Sequence, residues 1–544
     1  MNSNIDAVTV LLLLFLLHLG GFTRHAASED LASCLKTSGV HNFSIASLAE
    51  NFPVNDHILK FSIQNRRFFR SSLLSPAAVI LPHDLHSLRS SILCCRGSSF
   101  AIRLRSGGHS YEGLSYASSG DGPFAVVDLM NLHRIDVNTT DRTAWLQSGA
   151  TLGQLYHAIS TASEENRPLG FSAGSCPTVG SGGHIAGGGF GLLSRMHGLA
   201  ADHVVDAVIV TPDGRVLDRG GMGEDLFWAI RGGGGGTWGA VYAWKVRLQT
   251  VPHRVAAFIV NRSGSNRHIA ELIEAWQWVA PDLPDEFYLS CFVGGSLPES
   301  VRTGMSATFK GLYLGSSEEA RSILSDQFPG LKLREEEVKE MSWIESIVFF
   351  SGMKKGSTVH DLLDRKLHVK TFFKAKSDYV RARISLPDLI RAVDLLSTEP
   401  KAYLIIDPYG GAMNRRRADE IPFPHRSGTL YGIQHLIEWM DDDDEGIEGY
   451  MQWIREWYEF MGPLVSSGPR AAYVNYMDLD LGRNGDAVEA KVWGEKYFLG
   501  NYERLVQVKT AVDPNNVFRH EQSIPPLATS VGFAGCSKLN NFLF

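Results

Sequence analysis

An α+β protein in two parts is the fold class that the sequence predicts, on three observations. The chain has 544 residues, more than one hydrophobic core usually holds. Glycine is dense up to about Val251 and thins beyond it. In the second half, amphipathic helical patterns alternate with strand patterns in mixed order, which suits an antiparallel sheet covered by helices better than a βαβ repeat. Hydrophobic residues make up 44% and charged residues 20%, the balance of a globular chain with a core to fill. A net charge of −7 argues against a nucleic-acid partner.

The chain opens with Val10–Leu17, an unbroken apolar run of signal-peptide length, and Ala26-Ala27 offers a cleavage point. Residues 1–27 are expected to be a leader, although Asp6 precedes the run and no Lys or Arg does. No later run reaches about 18 apolar residues, so no membrane anchor is expected. Residues 28–250 then form a first domain with its core from about 72, and 251–470 a second. Residues 471–527 are a C-terminal segment and 528–544 a loose tail.

Within a cap from Ser28 to Arg70, Asp30–Leu35 reads as helix. Ala77–Leu81 is a strand stopped by Pro82, and Asp84 caps a helix to Leu93 with Leu85, Leu88 and Ile92 on one face. Phe100–Leu104, Phe124–Asp128 and Thr143–Gln147 are short strands, and Leu152–Thr161 is a helix. Val204–Val210 is an apolar strand, and Asp213-Gly214 turns it into Arg215–Leu217. Asp225–Ile230 is a short helix broken by Gly232–Gly236, and Val241–Leu248 closes the domain. Beyond it, helices are expected at Ile269–Trp278, Ser317–Phe328, Pro387–Leu396 and Gln452–Met461, with strands at Ser306–Leu314, Ala402–Asp407 and Gly432–Ile437. Asp441–Glu445 reads as a solvated loop tip and Arg415-Arg416-Arg417 as a loop rim. No internal repeat is seen.

A leader permits disulfides and glycans, and N-x-S/T sequons stand at Asn42, Asn138 and Asn261. The cysteines are Cys34, Cys94, Cys95, Cys176, Cys291 and Cys536. With Cys176 set aside five remain, so at least one finds no partner within the chain, and spacing alone does not choose the bridge.

The chemistry concentrates in Gly170–Gly191, GFSAGSCPTVGSGGHIAGGGFG, where nine glycines surround one thiol, Cys176, and one imidazole, His184. Glycine at that density belongs where backbone takes positive φ or presses against something flat or anionic. Arg105-Ser106-Gly107-Gly108-His109-Ser110-Tyr111 is a second such loop, with His109 at its heart. A zinc site would want a second thiol nearby and would leave the glycines unexplained, so no metal is expected. Arg105, Ser106 and the N–H groups of Gly107 and Gly108 could instead cradle a pyrophosphate, without a Walker or dinucleotide fingerprint.

RSGGHSYEGLSY (Arg105–Tyr116), the central glycine stretch, HGLAADHVVDA (His197–Ala207), GEDLFWAIRGGGGGTWGAV (Gly223–Val241), PFPHRSG (Pro422–Gly428), YVNYMDLDLG (Tyr473–Gly482), WGEKYF (Trp493–Phe498) and DPNNVFRHEQSIPP (Asp513–Pro526) follow one another along the chain. Together they resemble the berberine bridge enzyme family of plants, from about Ser28 to Leu527. The resemblance implies a p-cresol methylhydroxylase-type FAD-binding domain, a second domain whose antiparallel sheet roofs the flavin, and a C-terminal segment that returns to the first. It implies FAD bonded twice, through His109 to the 8α-methyl and through Cys176 to C6. It nominates Cys34–Cys94 as a disulfide and leaves Cys95 as a buried thiol.

Chemistry of that kind moves hydride from a substrate carbon to flavin N5 while a base takes the adjoining hydroxyl proton. Tyr476 resembles in placement the catalytic tyrosine of the family's cannabinoid-forming members, where the berberine-forming member has a histidine. As a base it needs a positive field or hydrogen bond to lower its phenol pKa. Tyr473, Tyr111 and His184 resemble residues lining the flavin face, and Arg105, Ser106, Gly107, Gly108, Ser110, Gly174, Val179, Gly180, Gly183 and Asn475 its cofactor contacts. Gln434 stands where alkaloid-cyclising members have a catalytic glutamate, which argues against bridge formation and leaves it as a hydrogen-bond orienter. Phe190 and Gly432 replace a Tyr and a Lys of monolignol-oxidising members. Val179 matches the small residue of members that re-oxidise with O2. The expectation is a secreted monomeric oxidase of an alcohol or sugar hemiacetal, extracellular, in the wall or vacuolar. An oligosaccharide oxidase comes first, a phenylpropanoid or specialised-metabolite oxidase second, and a flavin-holding binding or defence protein third.

Overall fold

The structure is a computed structural model that describes residues 27–46, 53–69, 76–118, 122–298, 304–366, 369–440 and 444–527. The expected leader up to residue 26, the tail with Cys536, and Asp441, Asp442 and Asp443 lie outside the described residues.

Two small sheets build the first half. Ala78–Ile80, Phe124–Asp128 and Ala101–Arg105 run parallel, with Phe43–Ile45 antiparallel at one edge. Ile135–Asn138, Thr143–Gln147, Ala240–Arg247, Val204–Val210 and Val216–Leu217 form an antiparallel five-stranded sheet in that order. Local chemistry fixes the helices beside them. Asp84 caps Leu85–Gly97 and trades hydrogen bonds with Ser87, and Thr151 does the same with Gln154 at the start of Leu152–Ala162. Cys34 and Cys94 are bridged, pinning the N-terminal cap to that first helix, while Cys95 and Cys291 are buried thiols.

A seven-stranded sheet dominates the second half, ordered Lys339–Met341, Val255–Ser263, Ser306–Tyr313, Phe287–Gly294, Ala402–Pro408, Tyr431–Trp439, Phe372–Val380. Every neighbouring pair in it is antiparallel. One face packs on Asn266–Val279, Leu386–Leu396 and Asp444–Met461 through a core that includes Trp276, Leu389 and Trp457. The other face looks back at the first half. The C-terminal residues close the molecule: Phe518 bridges Ile102, and Glu521 forms an ion pair with Arg103 at 2.8 Å. The Lys509 ammonium is buried against Asp513 and the carbonyls of Thr237 and Phe518.

Among the elements that depart from the expectation are two helices and one strand. The helix expected at Asp225–Ile230 begins earlier, as Arg219–Ala229, because Asp218 caps it through Gly221 N–H. Its glycines hide the helical period, and Gly223 kinks it at a φ of +68°. Asp444 and Glu445, read as loop, open the helix Asp444–Met461. Phe372–Val380 was not foreseen as a strand because Lys374, Lys376 and Asp378 make it look like surface, yet all three are buried.

Candidate active site

Between the glycine loops and the inner face of the large sheet lies a cavity of about 510 Å3. Its floor is fixed by loop-to-loop contact. The segment after Cys176 runs antiparallel to residues 150–153, with hydrogen bonds from Leu152 N to Val179 O and from Gly153 N to Pro177 O, both 2.9 Å. A Cβ on Gly107 would sit 2.2 Å from the backbone nitrogen of Gly180, so the two glycine loops touch only because neither carries a side chain there. Ser106 Oγ adds a 2.5 Å bond to the Ser148 carbonyl.

That contact brings the two nucleophiles together. His109 Nε2 lies 2.9 Å from Thr178 Oγ1, and Cys176 Sγ lies 3.8 Å from the same hydroxyl. Burial raises the Cys176 thiol above its usual value. His184 turns its Nε2 to accept the Gly174 N–H at 3.1 Å, and burial lowers its pKa to about 4, so it serves as a neutral clamp on the loop that carries Cys176. Tyr473 Oη accepts from the N–H groups of Gly189 and Phe190 and from Asn475 Nδ2, and Asn475 also donates to the His184 carbonyl.

The roof supplies aromatic faces. Tyr111 and Tyr476 stack with centroids 5.1 Å apart and planes 4° from parallel, and Gln434 Nε2 donates to Tyr111 Oη at 2.5 Å. Phe190 stacks on Tyr409 at 5.0 Å. One ammonium holds the tyrosine pair from behind: Lys374 binds Glu112, next to Tyr111, and Asp478, two residues after Tyr476, the latter at 2.6 Å. Lys376 binds Asp478 and Asp480 at 2.7 and 2.8 Å.

Every site residue named from the sequence lines this cavity except Arg105. The Arg105 guanidinium is fully buried in an ion pair with Asp128 and in bonds to the Ile58 and Leu59 carbonyls, so it offers no cation to a pyrophosphate. Arg103 lines the cavity instead, neutralised by Glu521. The surroundings of Tyr476 do not lower its phenol pKa as the expected role requires. Burial, with the Tyr111 hydroxyl and Asp407 nearby, pushes its phenol well above the ordinary value, the reverse of what a base requires. The sequence reading also missed Gly234, Gly235, Gly236, His520 and Asp407, all on the cavity wall. The five-glycine run was a visible signal for the first three. Asp407 gave only a weak one, a carboxylate ending an apolar alternating strand.

The wall fits FAD. Gly183 lines the cavity with open space where a Cβ would project, so backbone there can meet a flat ligand closely. Ser148 Oγ and Trp244 Nε1, both on the wall, are buried without a hydrogen-bond partner among the described residues, as expected of groups meant for a polar ligand.

Fold and wall together define a flavin-dependent oxidoreductase with a p-cresol methylhydroxylase-type architecture. Residues 76–220 match the FAD binding domain family, and residues 472–525 the berberine and berberine-like family. The chain is 51% identical over 531 residues to berberine bridge enzyme-like D-2 of Nicotiana tabacum, covering 92% of each. It is 45% identical over 510 residues to a reticuline oxidase of Eschscholzia californica, again covering 92% of each. The solved structure of berberine bridge enzyme from Eschscholzia californica superposes with a TM-score of 0.87 at 43% identity, covering 92% of this chain and all of that one. The chain belongs to the berberine bridge enzyme-like family and is an FAD-dependent oxidoreductase.

Proposed function

We propose that the chain is an oxidase that holds FAD through two covalent bonds, from His109 and Cys176, and oxidises a carbinol carbon with O2 as final acceptor. The observation that carries this reading is the convergence of that imidazole and that thiol on the Thr178 hydroxyl at the edge of one cavity. The bound flavin would supply a hydride acceptor and a two-electron store. The chain's own residues would orient the substrate: Gln434 and Tyr111 by hydrogen bonds, and Phe190, Tyr409 and Tyr476 as flat faces. Val179 leaves its part of the wall small and apolar, which suits O2 approach.

A ring-bearing substrate suits this roof. Planar polar groups beside aromatic faces favour a sugar hemiacetal, so an oligosaccharide oxidase is the first reading. Relatives named for reticuline and for monolignols support the second, an aromatic or other specialised-metabolite alcohol. A binding or defence protein with little turnover has no observation in its favour. The Cys34–Cys94 bridge supports an oxidising compartment outside the cytosol, where the chain would act as a monomer. Two measurements test the reading. Acid precipitation and proteolysis of the yellow protein should leave colour on peptides containing His109 and Cys176, and the double variant His109→Ala/Cys176→Ala should release it all. Peroxide release on cello- or galacturono-oligosaccharides, against phenylpropanoid alcohols, then chooses the substrate class. Colour freed entirely from the wild-type protein defeats the covalent reading.

A further inference from the structure

We propose that Asp407 is the proton acceptor of the reaction, taking the substrate's hydroxyl proton on the carboxylate oxygen that Tyr288 leaves open. The proposal rests on the carbinol-oxidase reading above. It begins with strand alternation. Along Ala402–Pro408, Ala402, Leu404 and Ile406 turn into the helix-covered core, so Ile405 and Asp407 turn the other way, onto the cavity wall. Asp407 is the one carboxylate on that wall among the described residues.

Three features leave it available. Its cross-strand partner is Gly432, which brings no side chain over it. Tyr288 O–H donates to Oδ1 at 2.5 Å, fixing the carboxylate plane with Oδ2 uncommitted among the described residues. Among the described residues no Lys or Arg stands at ion-pair distance from it, whereas buried Asp128, Asp378, Asp478 and Asp513 each have a cation. The groups that face it are the phenols of Tyr111, Tyr288, Tyr409 and Tyr476, with the more distant Lys310 ammonium. A recess of about 20 Å3 beside Asp407, also lined by Tyr379 and Tyr409, has room for a water to carry the proton onward.

The other titratable groups on the wall are poor acceptors. Burial pushes the tyrosine phenols up, and it lowers His184 and His520 to about 4 with a ring nitrogen of each already accepting a backbone N–H. Burial raises Asp407 to about 6, in spite of the Tyr288 hydrogen bond and Lys310, so it is charged at neutral pH and more basic than an exposed carboxylate. In the step, the substrate O–H bond breaks and its proton joins Oδ2. The electron pair left on oxygen forms the carbonyl, and the C–H pair departs as hydride to the bound flavin, so carbon loses two electrons and the flavin gains them.

The test uses holoenzyme and Asp407→Asn. Anaerobic bleaching of the wild-type flavin by its carbinol substrate should rise with pH through an acid limb near 6. In Asp407→Asn it should be about 10²–10⁴-fold slower at pH 7, without that limb. Melting gives a readout independent of turnover. A carboxyl whose folded pKa lies above its unfolded value loses its stabilising contribution as pH rises through the folded value. Asp407→Asn should therefore melt higher than wild type at pH 8, with the gap closing toward pH 4. Equal bleaching rates, a surviving acid limb, or a lower melting point at pH 8 would each overturn the proposal. A wild-type flavin that no carbinol bleaches sinks the oxidase reading and this proposal together. A wild-type flavin that bleaches beside an equally fast Asp407→Asn sinks this proposal alone.

Discussion

Two charge sites lie on opposite faces of the same seven-stranded sheet, one on the helix-covered side and one on the cavity wall, and they are built in opposite ways. Around Lys374 and Lys376, the acids Glu112, Asp478 and Asp480 match the ammonium groups, with Arg455 completing the rim. Around Asp407 stand four phenols, that of Tyr288 hydrogen-bonded to it, and among the described residues no cation at contact. Burying charge is expensive unless it is paired, so a compensated cluster can be explained by structure alone. An uncompensated carboxylate on a cavity wall asks for a chemical reason. The contrast separates residues that hold Tyr111 and Tyr476 in place from one that faces the cavity.

The largest way to break the comparison is Lys374→Met. It leaves Glu112 and Asp478 buried close to each other with one ammonium fewer, and removing one partner of a buried network costs about 3–5 kcal/mol. The melting temperature of the holoprotein should fall sharply, and Lys374→Arg should recover part of it. Because Glu112 and Asp478 flank Tyr111 and Tyr476, the same variant should raise KM more than it lowers kcat. An unchanged melting point would show that the cluster is not the clamp inferred here.

Sequence made one of these regions far more legible than the other. The glycine loops could be read because a glycine excess has few other uses, and Gly107 and Gly180 stand where absence of a Cβ matters. Strand positions such as Phe124–Asp128 and Val204–Val210 were plain from apolar runs. The roof was harder. Phe372–Val380 carries Lys374, Lys376 and Asp378, which composition assigns to the surface, and their partners sit about a hundred residues or more away. Arg105 failed for the same reason in reverse: a guanidinium beside two glycines suggests a phosphate, and only the fold reveals Asp128 behind it. Long-range charge pairing has no local signature.

Acid sharpens the contrast at intermediate size. Burial lowers His184, His203 and His520 to about 4 and His425 to about 3, below the 6.5 of an unfolded histidine. The unfolded chain therefore binds more protons between those values, and these four contribute stability that is full above about 6.5 and lost as pH falls toward 4 and then 3. The melting temperature should begin to drop below pH 6.5, before ordinary carboxylates titrate. Asp407 works against that trend, because its contribution grows as pH falls below 6. Asp407→Asn should thus make the acid loss steeper than in wild type, while His184→Asn should make it shallower.

The smallest effect belongs to the exposed rim of the compensated cluster. Arg455 reaches Asp480 at 2.9 Å from the helix Asp444–Met461, but 53% of its side chain is open to solvent. Against the cost of burial, Arg455, Lys374 and Lys376 together hold the Asp480 carboxyl far below its usual range. Removing the outermost of the three leaves two ammonium groups in place. Solvent screens the lost pair, so Arg455→Ala should cost no more than about 0.5–1 kcal/mol. High salt should shrink even that difference, whereas it should leave the Lys374→Met deficit nearly unchanged, since buried pairs escape screening. Melting curves of both variants at low and high salt would separate the two. If the deficits fell in parallel, Lys374 would be far more hydrated than its burial against Glu112 and Asp478 implies, and the distinction between clamp and rim would fail.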